Sequence, residues 1–230
     1  MRLSLCLLTF NEIDGCRHDV PRLPVSAFEE VFAVDGGSED GTVAFLEEHG
    51  IPVYRQPVKS LNAACRHAAE TCTTEALVFF HPKGTVPVDD VLKFRPLFEQ
   101  GYELVIGSRN GPGGYNEEDE KWLKPRKWLS TMVAGLIALT WRREGPVLWD
   151  ILHGFRGATI DALRRIDLLP VGVSVDLEMV VRAYRLRLKR VEFPTRETPR
   201  IGGGTHFKIL PTGRKLLRYL CYELLQRKDS

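Results

Sequence analysis

The chain lacks a paired-cysteine framework, a long apolar run and any large net charge. Its five cysteines (Cys6, Cys16, Cys65, Cys72 and Cys221) are odd in number, and none stands in a C-x-x-C spacing. That argues against a disulfide scaffold and predicts reduced thiols, packed as small hydrophobes, in a cytoplasmic protein. The apolar start, Met1 to Leu8, runs straight into Asn11 and Glu12 and is too short for a signal peptide. The longest other apolar stretch, Trp128 to Trp141, is too short to cross a bilayer, so a soluble or peripheral protein is expected. His18, His49 and His67 have no metal-ligand spacing. The net charge is only +2, and the basic region carries no interleaved aromatics of a recognisable binding module, so nucleic acid is not an expected partner.

The charge that is present is unevenly placed. From Arg182 to Lys228 there are 13 Lys or Arg against Glu192, Glu197 and Glu223. Leu216, Leu217, Leu220 and Leu224 alternate at helical spacing with Arg214, Lys215, Arg218, Arg227 and Lys228. This predicts a basic amphipathic helix over about 211–228, which packs its leucines on the core, docks on an anionic membrane surface, or does both.

A length of 230 residues with 43% hydrophobic residues suits a single domain with a substantial core. Strand-like runs near 2–9, 31–35, 52–55, 76–80 and 103–107 alternate with helical patterns, which predicts an α/β fold with a mostly parallel sheet flanked by helices. Leu61, Ala64, Cys65, Ala68, Ala69 and Cys72 form one apolar stripe, with Asn62, Arg66 and Glu70 opposite. Val91, Phe94, Leu97 and Phe98 repeat the device, and Asp89 and Asp90 are expected to cap that helix. Residues 110–120 have no apolar periodicity and read as a mobile loop. Beyond it, helices are expected over about Pro125–Thr140, Asp161–Ile166 and Asp176–Tyr184, then a strand over Lys189–Pro194. Trp122, Trp128, Trp141 and Trp149 flank the first of these helices, as a lipid-interface belt or as packing.

Ligands of open α/β sheets bind beyond the carboxyl ends of the strands. Two polar segments fall there. Thr9-Phe10-Asn11-Glu12 follows the first strand and Asp35-Gly36-Gly37-Ser38-Glu39-Asp40-Gly41-Thr42 follows the second. Asp35 at a strand end can accept from a base N–H or a ribose hydroxyl, the glycines allow a sharp turn, and Ser38 and Asp40 can cap the next helix. Alone, such a run is equally a polar turn; with its partner segment it reads as a nucleotide pocket.

These two segments resemble the T-[FY]-N-E and V-D-[DG]-[GN]-S-x-D-G-T segments of the family-2 glycosyltransferases, and further matches follow in family order. Gly107-Ser108-Arg109 is similar to the family's G-S-R. Asp150-Ile151-Leu152-His153-Gly154-Phe155-Arg156 resembles the D-x-x-S-G-F-R of the subset that moves sugars onto polyprenyl phosphates, typified by dolichol-phosphate mannosyltransferase, with His153 in place of Ser. Arg126 and Ser130, one helical turn apart, resemble that subset's holders of the lipid phosphate. Glu178 resembles the Glu of an F-x-x-E. Arg200 to His206 resembles an R-x-x-G-x-S-K loop over the diphosphate, with His206 for Lys. The resemblance implies a GT-A fold and inverting transfer from a nucleotide-diphosphate sugar to a polyprenyl phosphate or a glycolipid. The expected donor-binding residues are Thr9, Phe10, Asn11, Glu12, Asp35, Gly36, Ser38, His81, Lys83, Thr205 and His206. The expected acceptor-phosphate residues are Arg109, Arg126 and Ser130.

One departure separates the chain from that pattern. The family follows its fourth strand with D-x-D, whose carboxylates hold Mg2+ or Mn2+ on the donor; here the strand is followed by His81-Pro82-Lys83. No metal ligands are therefore assigned, and Lys83, with Arg200 and His206, is expected to supply the positive charge that the leaving nucleotide needs. Lys83, Arg109, Asp150 and Arg200 are the candidate catalytic residues. A polyprenyl phosphate needs no general base, whereas a sugar hydroxyl would need Asp150 or a neighbour. A non-catalytic nucleotide-binding relative is the third possibility, motivated by the missing carboxylates.

Overall fold

The structure, a computed structural model, describes residues 1–202 and 209–226. Its strands are β1 (Leu3–Thr9), β2 (Glu30–Asp35), β3 (Val53–Arg55), β4 (Ala76–Phe80), β5 (Leu104–Ser108), β6 (Arg156–Thr159) and β7 (Arg190–Pro194). They form one sheet in the order β3-β2-β1-β4-β6-β5-β7. Every pairing is parallel except those of β6, which runs antiparallel to both β4 and β5. β1, β4 and β5 are buried along their whole length, because helices cover both faces of the sheet.

The helices are α1 (Ile13–Asp19), α2 (Thr42–Glu48), α3 (Leu61–Thr71), α4 (Phe94–Glu99), α5 (Pro125–Trp141), α6 (Ile160–Ile166), α7 (Val175–Arg185) and α8 (Ile209–Gln226). Alternate side chains of the strands feed two cores. Cys6 and Leu8 of β1 join Phe79 and Ile106 under α3, α5, α6 and α7, and Tyr219 of α8 packs into the same cluster. Leu5 and Leu7 join Phe80 and Val105 under Cys16 of α1, Leu46 of α2 and Phe94 of α4. In this second core, Phe94 meets Phe155 and Phe193 edge to face at centroid distances of 5.1 and 5.0 Å. Such pairs add about 0.5–1.5 kcal/mol each beyond their burial, and they anchor Phe155, the last residue before β6.

The expected α/β class and mostly parallel sheet are observed, with several local corrections. Neither α1 nor β6 is marked by apolar periodicity. Asn62 is wholly buried rather than on the outer face of α3: its Nδ2 donates to Glu178 at 2.6 Å and its Oδ1 accepts from Ser174 N at 3.1 Å. Ser60 caps α3 instead, accepting from Ala63 N. Asp89 and Asp90 cap nothing. Pro87 precedes a 3-10 turn, Val88–Lys93, with no side-chain cap, and Asp90 accepts from Thr195 Oγ1 at 2.6 Å. The segment read as a loop over 110–120 contains a 3-10 turn, Glu117–Glu120, closed by an Asn116–Asp119 capping box.

Candidate active site

The ends of β1 and β2 are bound into one unit by Asp35, which is 2% exposed. Its Oδ1 accepts from Gly37 N and Ser38 N, both at 2.7 Å, and its Oδ2 from Thr9 Oγ1 at 2.8 Å and Ser38 Oγ at 2.6 Å. Four bonds fill a carboxylate's acceptor positions. Asp35 therefore shapes the pocket floor, and a base N–H could reach it only by displacing one of them. Asn11, at a φ of 52°, donates its N–H to Ser38 Oγ and accepts from Glu39 N with its side chain. Asp40 accepts from Thr42 at the start of α2 and from Ile13 N at the start of α1, while Ser38 serves the loop rather than a helix cap. Phe10 lies under the Lys59 ammonium, 3.8 Å from its ring centroid, and against Gly36.

At the end of β4, backbone touches backbone. A Cβ on Gly15 of α1 would sit 2.1 Å from the Pro82 carbonyl oxygen and 2.8 Å from Lys83 Cα, so only glycine lets α1 approach. Asp19, at the other end of α1, accepts from Gly84 N at 2.8 Å. Across the same turn, Ile201 N donates to Lys83 O and Thr198 N to Thr85 O, which lays the segment carrying Arg200 over Lys83. Arg200 pairs with buried Glu12. Burial pulls the Lys83 ammonium below its ordinary pKa, against the pull of Glu12, and the Arg200 guanidinium acts with burial. His81 is driven well below the usual imidazole range by burial and by Lys83, so it stands neutral. The residues at this strand end do not fit a divalent cation. They offer a neutral imidazole, a proline and an ammonium where a hard ion requires oxygens, and among the described residues no group of three His, Cys, Asp or Glu is placed to hold a metal.

The third part of the site joins the end of β5 to the segment before β6. Arg109 grips Asp150 three times, through N and Nε to Oδ2 at 2.8 Å and Nη2 to Oδ1 at 2.9 Å, and its Nη1 reaches Glu197 at 2.8 Å. Asp150 is fully buried. Burial opposes its ionisation, but Arg109 outweighs burial and holds the carboxyl well below the usual range. Glu192 of β7 accepts from Trp149 N and Asp150 N, both at 2.8 Å, and fixes this turn. His153 shares a 2.6 Å hydrogen bond between Nδ1 and Gly107 O, and burial together with Arg109 pushes its pKa down to about 3. Beneath them Arg156, 1% exposed, pairs with Asp176 at 3.1 Å. Glu192, Glu197, Arg156 and Asp176 were not identified as site residues from sequence. Arg156 stands in the segment similar to D-x-x-S-G-F-R and Asp176 in the one similar to F-x-x-E, whereas Glu192 and Glu197 stand in no motif.

The structure thus brings together Thr9, Asn11, Asp35 and Ser38, then Glu12 with Arg200 beside Lys83, and finally Arg109 with Asp150. Arg126 and Ser130 are not joined to Arg109 by any hydrogen bond among the described residues. Arg126 is 67% exposed and pairs with Glu117 at 3.1 Å, while Ser130 Oγ is buried and has no hydrogen-bond partner. Glu178 accepts from Asn62, Ser174 and Leu169 N, which makes it a brace of the α3–α7 contact. Thr205 and His206 lie outside the described residues.

Comparison with known proteins bears on the fold and the family. The chain is 26% identical over 206 residues to glycosyltransferase AglJ of Haloferax volcanii, which covers 87% of this chain and 65% of that protein's length. Its structure resembles glucosyl-3-phosphoglycerate synthase of Mycobacterium tuberculosis in complex with phosphoglyceric acid, with a TM-score of 0.69 at 16% identity over 95% of this chain and 78% of that one. The same enzyme in complex with Mn2+, UDP-glucose and phosphoglyceric acid gives a TM-score of 0.68 at 17% identity over 94% and 77%. These neighbours establish the GT-A-like fold. The family described as glycosyl transferase family 2 matches residues 4–166, more than half of the chain, and the chain therefore belongs to glycosyl transferase family 2.

Proposed function

We propose that this chain transfers a sugar, with inversion, from a nucleotide-diphosphate sugar to a polyprenyl phosphate, and that Lys83 meets the donor diphosphate where relatives use a metal ion. The observation that carries the acceptor is the pairing of four of the site's carboxylates with guanidinium groups. Asp150 and Glu197 pair with Arg109, Glu12 with Arg200, and Asp176 with Arg156. Arg109 holds the Asp150 carboxyl well below the usual range, which makes it a weak base, so using it to deprotonate a sugar hydroxyl would first require breaking that pair. A phosphate acceptor is already anionic and attacks the anomeric carbon without a base. The C1–O bond to the diphosphate breaks as the new C1–O bond to the lipid phosphate forms, and the negative charge moves to the departing nucleotide.

On the donor side, Asp35, Asn11 and Ser38 support a preformed cleft for the nucleoside. Lys83 has no ion pair among the described residues, whereas Arg109 and Arg200 are both paired, so its ammonium gains most when a diphosphate arrives. The family's Mg2+ or Mn2+ has no carboxylate ligands to bind at this strand end. The test is calorimetric titration of nucleotide diphosphates and nucleotide sugars, with magnesium or manganese and again with a chelator, followed by transfer assays onto polyprenyl phosphate. Binding should survive the chelator, and Lys83→Ala should weaken it by about tenfold or more, the loss of one charge-assisted hydrogen bond of about 1.5–3 kcal/mol. Undiminished affinity in Lys83→Ala refutes the role of Lys83. Transfer to a sugar hydroxyl with a bell-shaped pH profile refutes the phosphate acceptor, and absence of binding in every condition refutes catalysis.

A further inference from the structure

We infer that the outward face of α5 is a membrane-docking surface, on which this helix lies in the plane of an anionic lipid bilayer. The inference deepens the proposed function and rests on it for the identity of the acceptor. At about 100° per residue, Trp128, Leu129, Met132, Leu136 and Leu139 fall within one narrow arc of the helix. All five are more than half exposed, Leu139 at 83%, and Trp122 and Leu123 just ahead of the helix are exposed at 90% and 57%. The opposite arc carries Ala134, Ile137, Ala138 and Trp141, all buried in the core. Single exposed leucines are ordinary on a protein surface, but a contiguous strip of this size marks a partner.

Charge selects the partner. From Lys121 to Arg143 there are six Lys or Arg and no Asp or Glu, and they stand in two groups at the two ends of the apolar strip. Loop carboxylates Glu117 and Asp119 pair with Arg126, Lys124 and Lys127 and leave one positive charge over, and exposed Lys121 beside Glu120 and exposed Arg142 and Arg143 beside Glu144 stand at opposite ends. A second copy laid along this strip, parallel or antiparallel, would set basic end against basic end. An anionic bilayer answers both features, with acyl chains for the strip and phosphates for its ends, the pattern of an in-plane amphipathic helix. α8 adds to it. Tyr219 packs in the same core as α5, so both helices turn their outer sides away from the same face of the sheet, and α8 presents exposed Arg214, Arg218, Leu217 and Leu225 there. The loop that begins at Arg109 leads into α5, so seating the helix in the headgroup layer brings that end of the site to a lipid-borne phosphate.

The test is flotation of the full chain with vesicles of phosphatidylcholine alone or mixed with phosphatidylglycerol, alongside the Leu136→Asp/Leu139→Asp double variant. The native chain should float with the anionic vesicles, with a blue shift of tryptophan emission. The variant should lose about tenfold or more of that partitioning while binding nucleotide as the native chain does. Both substituted side chains face outward, and an unchanged melting temperature checks the fold. The inference is overturned if the native chain stays with the lipid-free fraction, if the variant floats equally well, or if light scattering shows a dimer that the variant dissociates. Vesicle binding without any nucleotide binding would leave this surface standing and remove the proposed function.

Discussion

Replacing Asp150 by Asn keeps the shape of the side chain and removes the charge on which the Arg109 cluster rests. The carboxylate accepts three N–H groups from Arg109 and is wholly buried. The amide offers one oxygen, and its NH2 turns a donor toward another donor. Breaking a buried pair in this way costs about 3–5 kcal/mol, and Glu197, still bonded to Nη1, recovers part of it. A loss of about 2–4 kcal/mol should lower the melting temperature by roughly 5–15 °C in a chain of this size. The pH dependence gives a second signature. Arg109 depresses the Asp150 carboxyl, so its contribution is fully present above the unfolded value of about 3.9 and fades as the pH falls toward the folded value. The difference between native and variant should therefore be constant near neutral pH and shrink below about pH 4. A fall of less than about 3 °C at neutral pH, or a gap that does not narrow in acid, would refute the assignment of Asp150 as the counter-ion of Arg109.

Two other perturbations probe the neighbouring parts of the site. Gly15→Ala places a methyl group 2.1 Å from the Pro82 carbonyl oxygen and must push α1 away from the Lys83 turn; it should cost about 1–3 kcal/mol and weaken nucleotide binding in calorimetry. Gly135→Ala, where the added Cβ meets nothing within 4 Å beyond its chain neighbours and its own helix backbone, is the control and should leave both unchanged or raise stability slightly. His153 is held neutral with a pKa near 3 while the unfolded chain takes up its proton near the ordinary imidazole value, so stability should fall as the pH drops from neutral toward 4. His153→Ser should flatten that slope in melts recorded across the range, and an unaltered slope would contradict a buried neutral imidazole.

Much of the architecture is legible in the sequence because β1, β2, β4 and β5 are apolar runs ending in polar motifs. β6 is not, for a physical reason. Its four residues, Arg-Gly-Ala-Thr, carry no apolar alternation, and Arg156 is spent on Asp176 and on the His153 carbonyl rather than on solvent. α1 is hidden likewise, since its defining property is a glycine that admits a neighbouring backbone. The motifs locate Asp35, Arg109 and Asp150 correctly at the sheet end but not what they touch. Glu197 reaches Arg109 from 88 positions away, in a segment with no pattern of its own. The same holds for the exposed strip of α5, which as sequence is an apolar run too short to span a membrane. Only the structure separates its core-facing arc from its outward one.

The antiparallel course of β6 has a consequence for how such a molecule can change. β5 leaves the sheet and β6 re-enters it as hydrogen-bonded neighbours, with Gly107 N donating to Phe155 O at 2.9 Å. The sheet therefore treats the whole excursion over residues 109–155 as one oversized hairpin turn, closed at its base whatever its contents. Insertions at its exposed turns leave the register of all seven strands untouched, whereas exchanging α5 would empty the core of Ala134, Ile137, Ala138 and Trp141. The strand order and the excursion are thus free to vary at different places: the first is written into the parallel strands, and the second is tied at its base, to β7 through Glu192 and to the core through α5.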